Sequence, residues 1–252
     1  ETECFRDIAE HPNDPTCRLI YADWLEERGD PRGEFIRLQC AREEMGRCPQ
    51  AGPLALRERQ LMHQNRREWI GPLHRSDMRV KFRGGLIDEV VVSTWAFNRL
   101  IDDLQQRAPV LRSLRLSDSS KGGIAEAIKR LANSPLAEHL RSLDLSGCGV
   151  TSAHVRRLAQ ATKLTRLTTL LLASNPICED GIRLLVRAGN FAHLQVLDLN
   201  GIALRRKTMK MLMEPDRLLD LRLLVISGRH NPAAQRMLKP LQARFGDRLM
   251  DC

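Results

Sequence analysis

The residues best suited to chemistry are five acidic side chains concentrated near the start of the chain: Asp23, Glu26, Glu27, Asp30 and Glu34. Paired carboxylates can act as general acid and base, or they can hold a metal ion. The same carboxylates can instead cap helices and form salt bridges between consecutive helices. The spacing of a calcium loop is absent, so we favour the structural interpretation. An enzyme centred on Asp23 is the less favoured alternative.

Cysteine and glycine motifs give no stronger indication of catalysis. Gly147-Cys148-Gly149 resembles a turn that could present a nucleophile, but Cys148 occupies a position that recurs with the repeat described below. Gly122-Gly123 could cradle a phosphate, yet the other residues of a phosphate-binding loop are missing. Closely spaced Cys or His pairs of the kind that bind zinc are also missing. We therefore predict no catalytic residue, no metal and no cofactor.

The seven cysteines also indicate the compartment. Their number is odd and they form no CxxC pair, which is typical of free thiols in a reducing environment, so we expect a cytoplasmic protein. The sequence contains no run of about 18 apolar residues, and we predict no contact with a membrane. The chain begins at Glu1 rather than Met, so the absence of a signal peptide is weak evidence about the compartment. The cysteines stand at positions 4, 17, 40, 48, 148, 178 and 252.

Charge is distributed unevenly along the 252 residues. The net charge is +9 overall. Residues 1–79 carry 13 basic and 15 acidic residues, whereas the remainder carries 27 basic and 16 acidic residues. An anionic partner is therefore to be sought on the C-terminal two-thirds of the chain. Aromatic residues make up only 4%, which favours a core of Leu, Ile and Val in small repeated layers.

One short sequence motif, called the phrase below, occurs five times in that C-terminal part. It reads LRSLRLSDS (111–119), LRSLDLSGCGV (140–150), LTTLLLASNPI (167–177), LQVLDLNGIAL (194–204) and LRLLVISGR (221–229), with a degenerate earlier copy in IDEVVVS (87–93). Between the phrases, Ile128, Val155, Ile182 and Met209 are each 27 residues apart, and each is followed three residues later by Leu. This spacing is typical of one face of a helix. Each repeating unit of about 27 residues is therefore predicted to form a strand, a turn, a helix and a second turn.

Alternation within each phrase predicts which side chains are buried. Leu143 and Leu145 should point inward, while Ser142, Asp144 and Ser146 face outward. A single unit cannot bury its leucines, so stacked units with strands in parallel should form one core. Because helices are bulkier than strands, we expect strands on a concave side and helices on a convex side. We expect the segment from about residue 232 to cap the stack.

These phrases resemble leucine-rich repeats, and a 27-residue unit with a full helix is similar to the ribonuclease-inhibitor-like subclass. The resemblance implies an α/β solenoid that binds other macromolecules. It also implies that Cys148 and Asn175 hydrogen-bond the backbone of the loop that leaves the strand. The chain departs from this pattern at Ser119, Ile202 and Arg229, so we expect the ladder of such bonds to be broken at both ends.

Residues 1–79 form a small all-helical module in our prediction, and residues 80–252 form the solenoid. Asp14-Pro15 should start one helix, Gly29 should end it, and two further helices should follow. The string RLIYADWLEERGDPRGEFIRLQ (18–39) resembles the N-terminal repeat-companion domain found beside leucine-rich repeats in many bacterial proteins. That resemblance implies an architecture and no activity. Tyr21 and Trp24, three apart on one helix, should belong to the core.

Two surfaces are candidates for binding. Our first hypothesis is a non-catalytic, monomeric scaffold that binds a protein partner through the concave strand face. The alternative is a nucleic-acid or anionic-surface binder that uses a convex basic ridge. The concave candidates are Arg115, Ser142, Asp144, Thr169, Leu171, Val196, Asp198, Asn200 and Val225. The ridge candidates are Lys129, Arg130, Arg156 and Arg157, with Lys210 later in the same phase as a partial extension.

Overall fold

A computed structural model describes residues 2–46, 48, 51–117, 123–212, 214, 218–226 and 249–251. The chain divides into two compact units, one of Glu1–Val90 with Asp102–Leu111, the other of Val91–Ile101 with Arg112–Cys252. Predictions on Ser119, Gly122 and Arg229 lie outside the described residues. So does the predicted cap, apart from residues 249–251. In the described part of the chain, no helix is both long and apolar enough to cross a membrane.

The first unit begins with helices. These are α1 (Thr2–Glu10), α2 (Pro15–Glu26), α3 (Arg32–Met45) and α4 (Ala51–Ile70), followed by the strands β1 (Arg79–Arg83) and β2 (Leu86–Ser93). The Asp14 carboxylate accepts a hydrogen bond from the Thr16 N–H, and Pro15 occupies the first turn of α2. Gly29 follows α2 with a φ of +70°, a conformation that glycine adopts without steric cost. The predicted helix boundary is confirmed there.

The core of the first unit comes mainly from α2 and α3. Tyr21 and Ala22 on α2 and Ile36 on α3 are fully buried, together with Ile8 from α1. A second cluster joins Phe35 to Leu61 and Trp69 of α4. Tyr21 is therefore a core residue as predicted, and the half-buried Trp24 ring stacks on it at 5.9 Å. The string RLIYADWLEERGDPRGEFIRLQ (18–39) thus forms most of α2, the turn after it and the first half of α3.

The second unit alternates strands and helices along the chain. After α5 (Thr94–Arg107), which both units share, the elements are β3 (Ser113–Ser117), α6 (Ile124–Asn133), α7 (Leu136–His139), β4 (Ser142–Asp144), α8 (Ser152–Ala159), β5 (Thr169–Leu171), α9 (Glu179–Arg187), β6 (Val196–Asp198), α10 (Arg206–Leu212), β7 (Leu223–Ile226) and β8 (Leu249–Asp251). Each recurring phrase thus contains a strand and each 27-residue helical pattern a helix, as predicted. The fold class is α/β.

Strands β3 to β8 form a parallel ladder in chain order. Their central leucines are in register, so identical side chains lie side by side on one face of the sheet. Burial of these leucines is complete from β3 to β7, each being 0% exposed. The row consists of Leu114, Leu143, Leu170, Leu197 and Leu224. The inward direction predicted for Leu143 and Leu145 is confirmed.

Two buried side chains, Cys148 and Asn175, form hydrogen bonds with backbone groups where the chain leaves the strands. Asn175 Oδ1 accepts from the Val150 N–H at 2.8 Å, and Asn175 Nδ2 donates to the carbonyls of Leu145 and Leu172, each at 2.9 Å. The Cys148 thiol donates to the Leu116 carbonyl at 3.0 Å. Both residues hydrogen-bond backbone in the loops after the strands, as expected. At the next step, 27 residues after Asn175, the chain has the buried apolar Ile202.

Replacing Asn175 with Ala should destabilise the second unit by about 1–3 kcal/mol, because it leaves the buried Val150 N–H without its acceptor. Urea unfolding measured at neutral pH gives this difference directly. Asn133→Ala is the matched control, since Asn133 lies exposed on α6, and its cost should stay below about 0.5 kcal/mol. Equal losses in the two variants would contradict the assigned role of Asn175.

Candidate functional site

The outward face of strands β3 to β7 brings most of the predicted binding residues together. Alternate residues point to opposite faces of a strand, so the residues flanking the buried leucines share the other face. Parallel register places them in two rows. One row consists of Ser113, Ser142, Thr169, Val196 and Leu223, and the other of Arg115, Asp144, Leu171, Asp198 and Val225. Asn200 lies two residues beyond Asp198.

Asp144 forms an ion pair with its neighbour in the row. Arg115 Nε lies 3.2 Å from Asp144 Oδ2, and the Asp144 side chain is only 15% exposed whereas that of Arg115 is 58% exposed. Asp144 Oδ1 also accepts a hydrogen bond from the Ser146 N–H at 2.9 Å. These two contacts fix the position of the carboxylate. Arg115 remains accessible above it.

Asp198 has the same turn geometry without the arginine. Its Oδ1 accepts from the Asn200 N–H at 2.8 Å, as Asp144 does from Ser146. Burial raises the pKa of the Asp198 carboxyl above its usual range, the Asn200 N–H lowers it in part, and the negative charge of Asp144 raises it further. Among the described residues, no cationic side chain offsets this effect. Asp198 is therefore a partly desolvated carboxylate for which the described residues of the second unit provide no compensating cation.

The remaining predicted face residues differ in what they expose. Leu171 and Val196 are half-buried and contribute apolar surface beside the carboxylates. Ser142, Thr169 and Asn200 are half-buried and polar. Val225 is 9% exposed and offers little contact area. The face is therefore a row of charges and aliphatic groups, and aromatic side chains are absent from its described strand positions.

The predicted basic residues lie on successive helices of the same unit. Lys129 on α6, Arg156 and Arg157 on α8 and Lys210 on α10 are exposed. Arg130 differs, because its guanidinium donates to the Asn98 carbonyl and it is half-buried. Arg130 therefore ties α5 to α6 within this unit.

Sequence reasoning missed Arg183, which completes the ridge. It lies on α9, 27 residues after Arg156 and 27 before Lys210, and its side chain is 42% exposed. The same step that aligns the buried Ile128, Val155, Ile182 and Met209 places a cation immediately after each of them. The 27-residue spacing of these cations is visible in the sequence, and it could have identified Arg183.

Cys178 is the second residue that the sequence did not single out. It caps the start of α9, and its Sγ lies 2.8 Å from Ser152 Oγ, which itself accepts from the Cys178 N–H at 3.1 Å. The Ser152 hydroxyl and the backbone N–H groups of Asp180 and Gly181 lower the pKa of the Cys178 thiol. The largest of these contributions comes from Ser152, a side chain of the preceding repeat, which explains why the local sequence did not indicate this environment.

The acidic concentration near the N-terminus forms ion pairs between helices. Arg37 on α3 contacts both Asp23 and Glu26 on α2. Arg57 on α4 donates to both carboxylate oxygens of Glu34 at 2.6 and 2.8 Å, and these bonds lower the pKa of the Glu34 carboxyl.

The other two acids of that concentration act locally. Asp30 Oδ1 accepts from the Arg32 N–H at 2.8 Å, and Glu27 lies 3.8 Å from its neighbour Arg28. Over the described residues as a whole, no group of three or more His, Cys, Asp and Glu side chains is arranged to hold a metal ion. The acids therefore connect helices α2, α3 and α4 in the way the structural interpretation predicts.

No protein-family model matches the sequence, and no curated protein matches it.

Asp198→Asn should stabilise the protein at pH 7, because it removes a charge that burial disfavours while keeping the oxygen that accepts from Asn200. The folded-state pKa of Asp198 is raised, so the wild type loses stability as the pH rises from the unfolded value, about 3.9, through the folded value. The gain of the variant should therefore vanish below about pH 3.9. Thermal unfolding of the wild type and the variant, at pH 7 and at a pH below about 3.9, measures this difference in stability.

The exposed Asp180 supplies the control, since Asp180→Asn removes a carboxylate that lies next to Arg183 instead. That variant should show no gain at pH 7. An Asp198→Asn variant less stable than the wild type at pH 7 would contradict the desolvation argument.

Alkylation of the native protein by iodoacetamide at pH 7 should modify Cys178 before Cys17, whose pKa is raised by burial. The thiolate is the reacting form, so a lower pKa increases its population at this pH. Ser152→Ala should slow alkylation of Cys178 severalfold, and Thr162→Ala, an exposed change on the loop after α8, should not. Peptide mass spectrometry over time gives both rates; an unchanged Cys178 rate in Ser152→Ala refutes the assignment.

Proposed function

We propose that this chain is a non-catalytic leucine-rich-repeat scaffold whose outward strand face binds a cationic segment of a protein partner. The observation that carries the proposal is Asp198, a preoriented carboxylate that burial disfavours and that no described cation compensates. Binding a cation there would relieve an existing electrostatic cost. The recurring phrases, their parallel register and the backbone bonds of Cys148 and Asn175 support the repeat family and a solenoid.

The chemistry of the partner follows from the neighbours of Asp198. Asp144 and Asp198 are two strands apart, which places their backbones roughly 9–10 Å apart, with Leu171 between them. A guanidinium lying over Leu171 would sit between both carboxylates and place its apolar face on an aliphatic side chain. Arginine fits this arrangement better than lysine, because its planar group is weakly hydrated and donates in two directions.

Affinity through this face should be modest. Tight protein interfaces usually concentrate their binding energy in Trp, Tyr and Arg side chains. Among the described positions of the face only Arg115 belongs to that group, and it already pairs with Asp144. Arg115 would then contribute by contacting an acidic group of the partner beside the inserted cation. We further propose a cytoplasmic protein, on the strength of the cysteine pattern in the sequence.

The test is quantitative affinity capture from isotopically labelled native cells, followed by titration of the captured protein against purified variants. Asp198→Asn and Arg115→Glu/Asp144→Lys should each weaken binding by about tenfold or more, equivalent to about 1.4 kcal/mol. Asp220→Asn, which removes an exposed carboxylate outside the strand rows, should leave the affinity unchanged. Crosslinking should place an arginine of the partner beside Leu171.

Undiminished binding in both face variants would exclude the strand face. Binding that Asp220→Asn weakens equally would show that net charge, not the row, is responsible. Each variant is first checked by circular dichroism and thermal unfolding, so that loss of fold is separated from loss of contact.

A further inference from the structure

The helices of the second unit carry a regular line of positive charges. Lys129, Arg156, Arg183 and Lys210 follow one another at 27-residue steps on α6, α8, α9 and α10. Each stands one residue after a buried apolar side chain, so all four occupy the same angular position on their helices. The helices contact one another in this order along the chain. Packed helices are 8–10 Å apart, so the four cations span roughly 25–30 Å. We call them the cation row.

Little within the described residues neutralises the cation row. Lys129 lies 3.8 Å from Glu126 and Arg183 lies 2.5 Å from Asp180, both as exposed pairs within one helix. Exposed pairs of this kind contribute little to stability and yield readily to a competing anion. Arg156 and Lys210 form no ion pair in the described part of the unit. The neighbouring Arg157 adds another exposed cation on α8.

A polar groove adjoins the row between α6 and α8. It has a volume of about 550 Å³. Two cations, Lys129 and Arg157, and one carboxylate, Glu126, line its wall together with the side chains of Asn133, Gln160 and Thr162. Its amide and hydroxyl groups can both donate and accept hydrogen bonds. A volume of this size holds a small planar polar group.

We propose that the cation row and this groove bind single-stranded nucleic acid, with phosphates on the four cations and a base in the groove. Cations in a line at regular intervals match a linear polyanion. An unpaired base presents hydrogen-bonding edges that the groove can contact, whereas a duplex keeps these edges paired. This surface lies on the helices and the inference does not depend on the proposed protein partner.

A membrane surface fits the same charges less well. Peripheral proteins usually add apolar side chains that enter the bilayer beside their cations. The exposed large apolar residues of the described chain are Ile20, Met45, Leu56, Trp95, Leu219 and Met250, and α6, α8, α9 and α10 contribute none of them. The described residues of the helices that carry the cation row therefore expose no large apolar side chain that could enter a bilayer.

The test is fluorescence anisotropy with a labelled DNA oligonucleotide of about 16 nucleotides, the upper end of known site sizes for one binding module. Four phosphate contacts on a single strand predict that log K falls with log salt with a slope of about −2.8. Arg156→Gln should make that slope shallower by about 0.7. Arg222→Gln, an exposed change of the same type outside the four helices, should leave it unaltered.

Gln160→Ala tests the groove separately. It should weaken binding severalfold without altering the salt slope, because it removes a contact to a base and no charge. Asp198→Asn should leave the oligonucleotide affinity unchanged, which keeps this inference distinguishable from the strand-face proposal.

Three results would overturn the inference. The first is no anisotropy change at the lowest salt concentration, and the second is a salt slope unaffected by Arg156→Gln. The third is preference for another anion: tighter binding of the matching duplex, or binding to vesicles containing phosphatidylserine in place of the oligonucleotide. Circular dichroism of each variant confirms that it is folded.

Discussion

Burial of one leucine per strand is the constraint on which the second unit depends. Leu143 is fully buried because Leu114 and Leu170 flank it in register, and the same holds along the row. A shift of one residue in any strand would turn its leucine outward, since neighbouring side chains alternate between the two faces. The register that keeps these leucines buried also fixes the outward residues in rows. Surface chemistry is therefore a consequence of packing.

The two faces of this unit solve their electrostatics differently. On the strands, Asp144 pairs with Arg115, while the partner of Asp198 among the described residues is the Asn200 N–H, and burial raises the pKa of the Asp198 carboxyl. On the helices, Arg156 and its counterparts are exposed and water solvates them at little cost. A partly buried charge without a partner costs stability, whereas an exposed one costs almost none. The carboxylate is thus the more specific indication of a ligand, and the cations indicate long-range attraction.

The first unit shows how a motif that looks chemical can be structural. Gly33 allows α3 to approach α2, because a Cβ there would lie 2.7 Å from the Ala22 carbonyl oxygen. Arg37 then joins the two helices through Asp23 and Glu26. Gln39 accepts a hydrogen bond from the Gly85 N–H at 2.7 Å, so the end of the string holds the turn before β2. The polar residues Arg37 and Gln39 of the string 18–39 therefore make contacts that hold the fold together.

The sequence by itself determined the secondary structure of the repeats, because periods of two and of 27 residues are visible in the order of apolar side chains. The resemblance of its phrases to leucine-rich repeats implied the backbone-binding roles of Cys148 and Asn175. The 27-residue period also gives the positions of the cation row. The sequence could not determine which carboxylate is compensated, because Asp144 and Asp198 stand in similar phrases. Only the tertiary structure decided that, by placing Arg115 beside one of them and Leu171 and Val225 beside the other. The contact between Ser152 and Cys178 arises in the same way, since residues 26 positions apart meet only when successive repeats stack.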